Sequence, residues 1–399
     1  MCKRYCKDVH VFTFEHIKLS MIHCLQNKLK RGDTRNYLLG KQVHNPQKRQ
    51  EYDEKITTDH YYFNELIDRR ARELLQELKS GELKLAPIRY EVRYDNNSHK
   101  NRNIAIQSIK QQICDYIALH GIAPFFKYIG KYQVAGIPGR GTRYGIQAMR
   151  KWLSKSDNIY AGKCDICKCY ESIDHDKLIV FLQKHIKNSE VLWLVKQLIN
   201  TYDKGLSIGS LLSQYLCTLY LAQLYHKIME DMYVYESGKR INLVKHTLFQ
   251  MDDILILCGN REYAEKAMQN IEKELDKMGL CLKKNYEVYK VKMGGNKSNN
   301  SGRFIDIMGY RFYCYNTKVT LRRNTYKRLR RCALRTINDF KMKRGICAER
   351  ARRNISLLGR LIETDYFILR KAFASCFYRC KGVISKYEKS KIRCTARAC

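Results

Sequence analysis

The chain has 399 residues, 45% of them hydrophobic, enough to bury a sizeable core shared between two or three lobes. Lysine and arginine number 75 against 39 acidic residues, a formal net charge of +36 that repels itself in a compact fold unless a polyanion screens it. No apolar run approaches the roughly 20 residues of a membrane-spanning helix, and the N-terminal MCKRYCKDVHVF lacks the apolar core of a signal peptide.

Nucleic acid is the natural partner of such a chain, because each neutralised phosphate releases a condensed counterion. An anionic membrane surface is the rival explanation of the charge. The 17 cysteines are scattered inside apolar patterns and read as reduced thiols acting as small hydrophobes. Cys164, Cys167 and Cys169 cluster locally, but no matching Cys or His pair follows at finger spacing, so zinc is not expected. Cytoplasmic residence follows.

In chain order, residues 1–84 form a basic, partly helical extension with a polar break near Asn45-Pro46. Leu66, Ala71, Leu74, Leu75 and Leu78 share one helical face. Ile88, Tyr90 and Val92 then alternate with polar residues, DNNSH supplies a turn, and Ile104 and Ile106 alternate again. That is a hairpin carrying Arg93, Lys100 and Arg102. Residues 157–168, with the run IYAGKCDICK, read as a strand, followed by a capped helix start at Ser172-Ile-Asp-His and a helix from Lys177 to about Lys187. After the turn KGLSIGS comes a long apolar helix over 210–229. Residues 244–258, VKHTLFQMDDILILC, form a strand–turn–strand unit around MDD. Ala264, Met268, Ile271, Leu275 and Met278 predict an amphipathic helix stopped at Gly279. A strand pair around 305–321 precedes a basic helical region, where Tyr326, Leu329, Ala333, Ile337 and Phe340 make one apolar face. This order implies an α+β domain.

Two adjacent aspartates in a tight turn between apolar strands are costly without cations. Phosphoryl transfer to a primer 3′-hydroxyl can use them, because two Mg²⁺ ions roughly 4 Å apart activate the hydroxyl and neutralise charge growing on the phosphates. Mg²⁺ prefers hard oxygen ligands and keeps water, so a few converging carboxylates suffice. Asp252-Asp253 is such a pair, and Asp165, at the end of an apolar strand, is the third carboxylate. A lone Asp-Asp turn is usually just solvated, and it is several motifs in fixed order that raise these above that reading.

Across nearly its whole length the chain resembles reverse transcriptases. Asp165-Ile-Cys-Lys-Cys-Tyr-Glu-Ser-Ile-Asp-His resembles the first catalytic motif, with Tyr170 as the aromatic that excludes a ribose 2′-hydroxyl, and Phe249-Gln-Met-Asp-Asp resembles the second metal motif. The resemblance implies a right-hand polymerase, with fingers over 85–156, a palm over 157–322 and a helical thumb over 323–399. It assigns the metal to Asp165, Ile166, Asp252 and Asp253, as two Mg²⁺ ions that Mn²⁺ can replace. Gly279-Leu-Cys-Leu-Lys places Lys283 near the triphosphate as a general acid, and Ile307-Met-Gly-Tyr-Arg-Phe resembles the primer grip, giving Gly309, Tyr310 and Arg311 that role. Arg102 matches the arginine that holds the incoming nucleotide's phosphates, with Arg93 and Lys100 as further contacts.

Ile208-Gly-Ser-Leu-Leu-Ser-Gln matches I/V/L-G-x-x-x-S-Q, the pattern of reverse transcriptases from diversity-generating retroelements, which places Ile208, Gly209 and Gln214 at the nucleotide. That resemblance implies a bacterial or phage enzyme copying a template RNA with frequent errors, with RNA template, primer and dNTPs as ligands and a basic accessory protein as partner. Gln250 stands where the family usually has Tyr, and Glu171 where many relatives have Pro. The glycine-rich GIPGRGTRYG (136–145) lacks the GK[ST] ending of a P-loop and is read as a turn near the template strand. Alternatives are a defence polymerase of retron-like or abortive-infection type, a catalytically dead RNA-binding scaffold or maturase, and a membrane-surface protein, which explains the charge but not the aspartates.

Overall fold

The computed structural model describes residues 4–95, 100–154, 159–292, 302–314 and 316–396. Residues 96–99 of the DNNSH turn, and Asp157 and Asn158 at the start of the strand expected over 157–168, lie outside them. The N-terminal part runs α1 (Phe14–Leu25), α2 (Gly32–Leu39), α3 (Pro46–Thr58), α4 (His60–Ser80), β1 (Arg89–Asp95), β2 (Lys100–Ile106), α5 (Ile109–Ile122), β3 (Gln133–Val134) and α6 (Thr142–Leu153). The middle runs β4 (Tyr160–Asp165), α7 (Cys169–Ser172), α8 (His175–His185), α9 (Ser189–Ile199), α10 (Leu211–His226), β5 (Tyr233–Glu236), β6 (Lys239–Asn242), β7 (His246–Gln250), β8 (Asp253–Cys258) and α11 (Arg261–Lys277). Then come β9 (Glu287–Lys290), β10 (Ile305–Ile307), β11 (Tyr310–Tyr313), β12 (Asn316–Leu321), α12 (Arg323–Lys341), α13 (Ala348–Gly359) and α14 (Phe367–Ala396).

The chain divides into two compact units: Met1–Gly136, Ile166–Lys227 and Ile271–Lys283 make the first, and Ile137–Asp165, Ile228–Asn270 and Lys284–Cys399 the second.

The first unit is mainly helical. Helix α5 is buried over most of its surface, with only Lys110, Gln112, Tyr116 and His120 half-exposed, and it packs against α1, α2, α9 and α10. Helix α10 is buried in the same way. The break at Asn45-Pro46 is a helix start: the Asn45 side chain accepts from Gln47 N at 2.8 Å, with Pro46 in the first turn. Proline there gives up no hydrogen bond the helix would have used. The β1–β2 hairpin pairs Arg89 with Ile106 through Asp95 with Lys100. Its alternating apolar residues stay open to solvent, with Tyr90 46% and Val92 67% exposed. A period of two reports a strand, and burial needs a layer to pack on that face.

The second unit holds an antiparallel sheet in which β7, β8, β4 and β9 are neighbours in that order. Residues Ile254–Cys258 of β8 are all fully buried, which is why this strand reads as a continuous apolar run. A second sheet, β10–β11–β12, is antiparallel throughout, and α6 packs on β11 and β12. Helices α12, α13 and α14 pack on one another, with Leu329 and Ala333 of the expected α12 face buried and Arg330, Arg331 and Arg335 exposed. The α+β class holds, with an antiparallel sheet and a helical C-terminal region.

Candidate active site

Gln250 pairs with Asp253 across the β7–β8 hairpin, which leaves Met251 and Asp252 as a two-residue loop. Such loops follow the twist of their strands when a central residue takes positive φ, and Met251 does so at 58°. A side chain in that region costs roughly 1–2 kcal/mol, so the turn stores strain beside the two aspartates.

On the neighbouring strand, Asp165 ends β4 directly opposite Asp253 in the register. Alternate strand residues share a face, so Lys163 stands beside Asp165. Lys163 Nζ lies 3.3 Å from Asp253 Oδ2 and donates to the Asp306 carbonyl at 2.7 Å. Burial pushes the Asp253 carboxyl up to about 6; Lys163 pulls it back, and the charges of Asp165 and Asp252 add to the rise. Asp253 Oδ1 is buried with no hydrogen-bond partner among the described residues. Crowded carboxylates with an unsatisfied buried oxygen suit a hard divalent cation such as Mg²⁺. Among the described residues no three side chains converge as a ready-made metal cage, and Mg²⁺ sites commonly complete their shell with water and substrate phosphates. The Ile166 side chain is fully buried and apolar, so its main-chain carbonyl is the group it has to offer a cation.

Ile166 bridges Leu282 in antiparallel fashion, and Cys167 N donates to the Cys281 carbonyl at 2.8 Å. Lys283 therefore follows directly on a contact with the first motif.

The nucleotide candidates lie in the first unit. Arg93 and Arg102 face each other across the β1–β2 hairpin, with Arg93 held by Glu91 at 2.8 Å. Lys100 pairs with Asp95 in the register. The Tyr170 carbonyl accepts from Leu206 N at 2.7 Å, and the Ile208 carbonyl accepts from Ala105 N at 3.3 Å. A cleft of about 320 Å³ is lined by Tyr90, Asn103, Glu171, Tyr202, Ser207 and Ile208, so immediate neighbours of Arg102 and Tyr170 share one cavity with Ile208. Gln214 lies on the first turn of α10 against Gly136, where a Cβ would come 1.6 Å from Gln214 Nε2. The glycine-rich segment thus begins as a backbone seat for that amide, at a φ of 70° that glycine adopts without strain.

The primer-grip candidates sit on the β10–β11 hairpin of the second unit. Met308 and Gly309 form its two-residue loop, both at positive φ. Tyr310 OH donates to the Arg360 carbonyl at 3.2 Å, and the Arg311 guanidinium stacks 4.0 Å from the Phe304 ring centroid. Sequence reasoning missed Lys163, although its position two residues before Asp165 was the available signal. It also missed Asp115, which no local pattern marks.

Residues 94–291 match the family model described as reverse transcriptase (RNA-dependent DNA polymerase). The chain carries a reverse transcriptase domain, the nucleotidyltransferase module of RNA-directed DNA polymerases. A curated relative, an uncharacterized 91 kDa protein in the cob intron of Schizosaccharomyces pombe, is 26% identical over 162 residues, 38% of this chain and 20% of that protein. Among solved structures, telomerase from Candida albicans in complex with a fragment of telomeric RNA is 12% identical with a TM-score of 0.45, covering 77% of this chain and 56% of that one. The Candida tropicalis telomerase complex is 11% identical with a TM-score of 0.45, covering 78% and 59%. The chain thus spans a fifth of the curated relative's length and little more than half of these telomerase chains.

Proposed function

We propose that the protein is an RNA-directed DNA polymerase that copies an RNA template into DNA by two-metal phosphoryl transfer. The observation that carries this reading is the register of the sheet, which sets Asp165 opposite Asp253 within a chain matching the reverse transcriptase family. Asp165, Asp252 and Asp253 would hold Mg²⁺, with the Ile166 carbonyl as a further oxygen. When bound, the metal supplies Lewis-acid activation of the primer hydroxyl and neutralises phosphate charge. Lys163 keeps the Asp253 carboxylate accompanied by a positive charge and ties it to the β10 strand. Arg102, aided by Arg93 and Lys100, would hold the nucleotide's phosphates; Tyr170 would exclude a 2′-hydroxyl; Lys283 would protonate the leaving pyrophosphate; Gly309, Tyr310 and Arg311 would seat the primer.

Within that activity, the motif from Ile208 to Gln214 supports an error-prone enzyme of the diversity-generating retroelement type, working with a basic accessory protein. A second reading, a maturase that binds RNA without polymerising, draws on the match to the S. pombe protein in the cob intron. Primer extension on an RNA template with dNTPs and Mg²⁺ separates the two, comparing wild type with Asp252→Ala/Asp253→Ala. Extension by wild type alone supports the polymerase; tight RNA binding with no extension by either protein supports the maturase.

A further inference from the structure

We infer that Asp115 is a positioning residue for nucleotide selection, locking the end of the Arg102 strand and the Ile208–Gln214 segment into one register. This role rests on the polymerase reading. Asp115 lies on α5 and is 2% exposed. Its Oδ2 accepts from Ser210 Oγ at 2.7 Å and from Gln107 Nε2 at 2.8 Å. The same Gln107 Nε2 lies 3.0 Å from the Tyr202 hydroxyl. Gln107, Ser210 and Tyr202 are all buried, so one carboxyl oxygen organises groups from three separate stretches of chain.

Each partner leads to a nucleotide candidate. Gln107 follows directly on β2, the strand that carries Arg102. Ser210 caps α10, accepting from Ser213 N at 3.1 Å, and that helix carries Gln214. Between them, Ala105 N donates to the Ile208 carbonyl, and Gly209, at a φ of 120°, comes so close that a Cβ would stand 3.2 Å from the Ala105 carbonyl. The β2 strand and the Ile208–Gly209 backbone are therefore in direct contact, and Asp115 joins the residues that follow each. A purely structural buried carboxyl would brace α5 against its neighbours; this one fastens together the two segments that carry Arg102 and Ile208.

Steady-state primer extension on an RNA template, with product sequencing, tests this in Asp115→Ala, Asp115→Asn and Ser210→Ala beside wild type. Asp115→Ala is expected to raise the KM for dNTP about tenfold with kcat changed far less, and to alter the misincorporation spectrum. Ser210→Ala, which leaves the Gln107 bond in place, is expected to shift KM the same way by less. Asp115→Asn keeps an oxygen acceptor for both donors and is expected to restore KM to near wild type. Wild-type KM and error spectrum in Asp115→Ala, or a KM in Asp115→Asn as high as in Asp115→Ala, would overturn the inference alone. A wild-type protein that extends no primer would remove the polymerase reading and this inference with it.

Discussion

Burial raises the Asp115 carboxyl from 3.8 to about 7, opposed by its bonds to Gln107 and Ser210 and by Lys28; the Tyr202 hydroxyl and the Cys24 and Cys114 thiols also face it. Between about pH 4 and pH 7 the native carboxyl holds a proton that the unfolded one has released, so the native state is favoured at the acid end and loses that advantage as pH rises. The slope is at most about 1.4 kcal/mol per pH unit. Asp115→Asn has no proton to lose, so its stability relative to wild type should rise from pH 4.5 to pH 7. Urea unfolding of both proteins across that range measures it; a constant difference would show that Asp115 ionises in the fold as it does in water. None of this was legible in the sequence, because Asp115 meets Gln107 eight residues back and Ser210 95 residues on. By contrast the paired aspartates Asp252 and Asp253 stood out, because apolar strands on both sides of a charged pair need an explanation.

Elements with their own periodicity were legible. Helix α4 buries Leu66, Ala71, Leu74 and Leu78 as the spacing requires, and α11 ends at Lys277, with Gly279 at a φ of 75° beyond it. The β1–β2 hairpin was found from its alternation, and its apolar residues Tyr90 and Val92 are exposed. The β5–β6 hairpin was not anticipated; Tyr233, Tyr235 and Arg240 share its exposed face, with Arg240 stacked 4.0 Å over the Tyr233 ring. The glycine-rich turn was recognised without its partner, since nothing local links Gly136 to Gln214. That contact yields a prediction. Gly136→Ala places a methyl group where the Gln214 amide now lies, and the amide must swing away. The cost in stability should be about 1–2 kcal/mol from the positive φ, while the misincorporation spectrum should change in the direction that Gln214→Ala changes it. Sequencing cDNA from both variants decides this: a wild-type spectrum in Gly136→Ala would mean that the amide's seat has no bearing on base selection.

For the molecule as a whole, the excess of basic residues would set the scale of the proposed nucleic-acid affinity. With a charge of +36 and exposed arginines along α12, RNA binding should weaken steeply with salt. A protein contacting six to ten phosphates loses roughly 10³- to 10⁵-fold between 50 and 200 mM, and filter binding over that range would return the slope; a flat response would leave the charge without its proposed partner. Among the described residues no helix is long and apolar enough to cross a membrane. The α+β class and the succession of β4, α8, α10, β7–β8 and α11 were readable from the chain, because their strand and helix periods are distinct, whereas α9, β5–β6 and β9 between them were not. How the elements assemble into two units was not, since each unit draws on three separate stretches. The most direct test of the central claim is primer extension by Asp165→Asn, which removes one charge from the facing carboxylates at constant size. Extension is expected to fall by about 10³-fold or more with RNA affinity and unfolding midpoint close to wild type. Extension at near the wild-type rate would contradict the two-metal reading, since the sheet would then bring Asp165 opposite Asp253 to no chemical purpose.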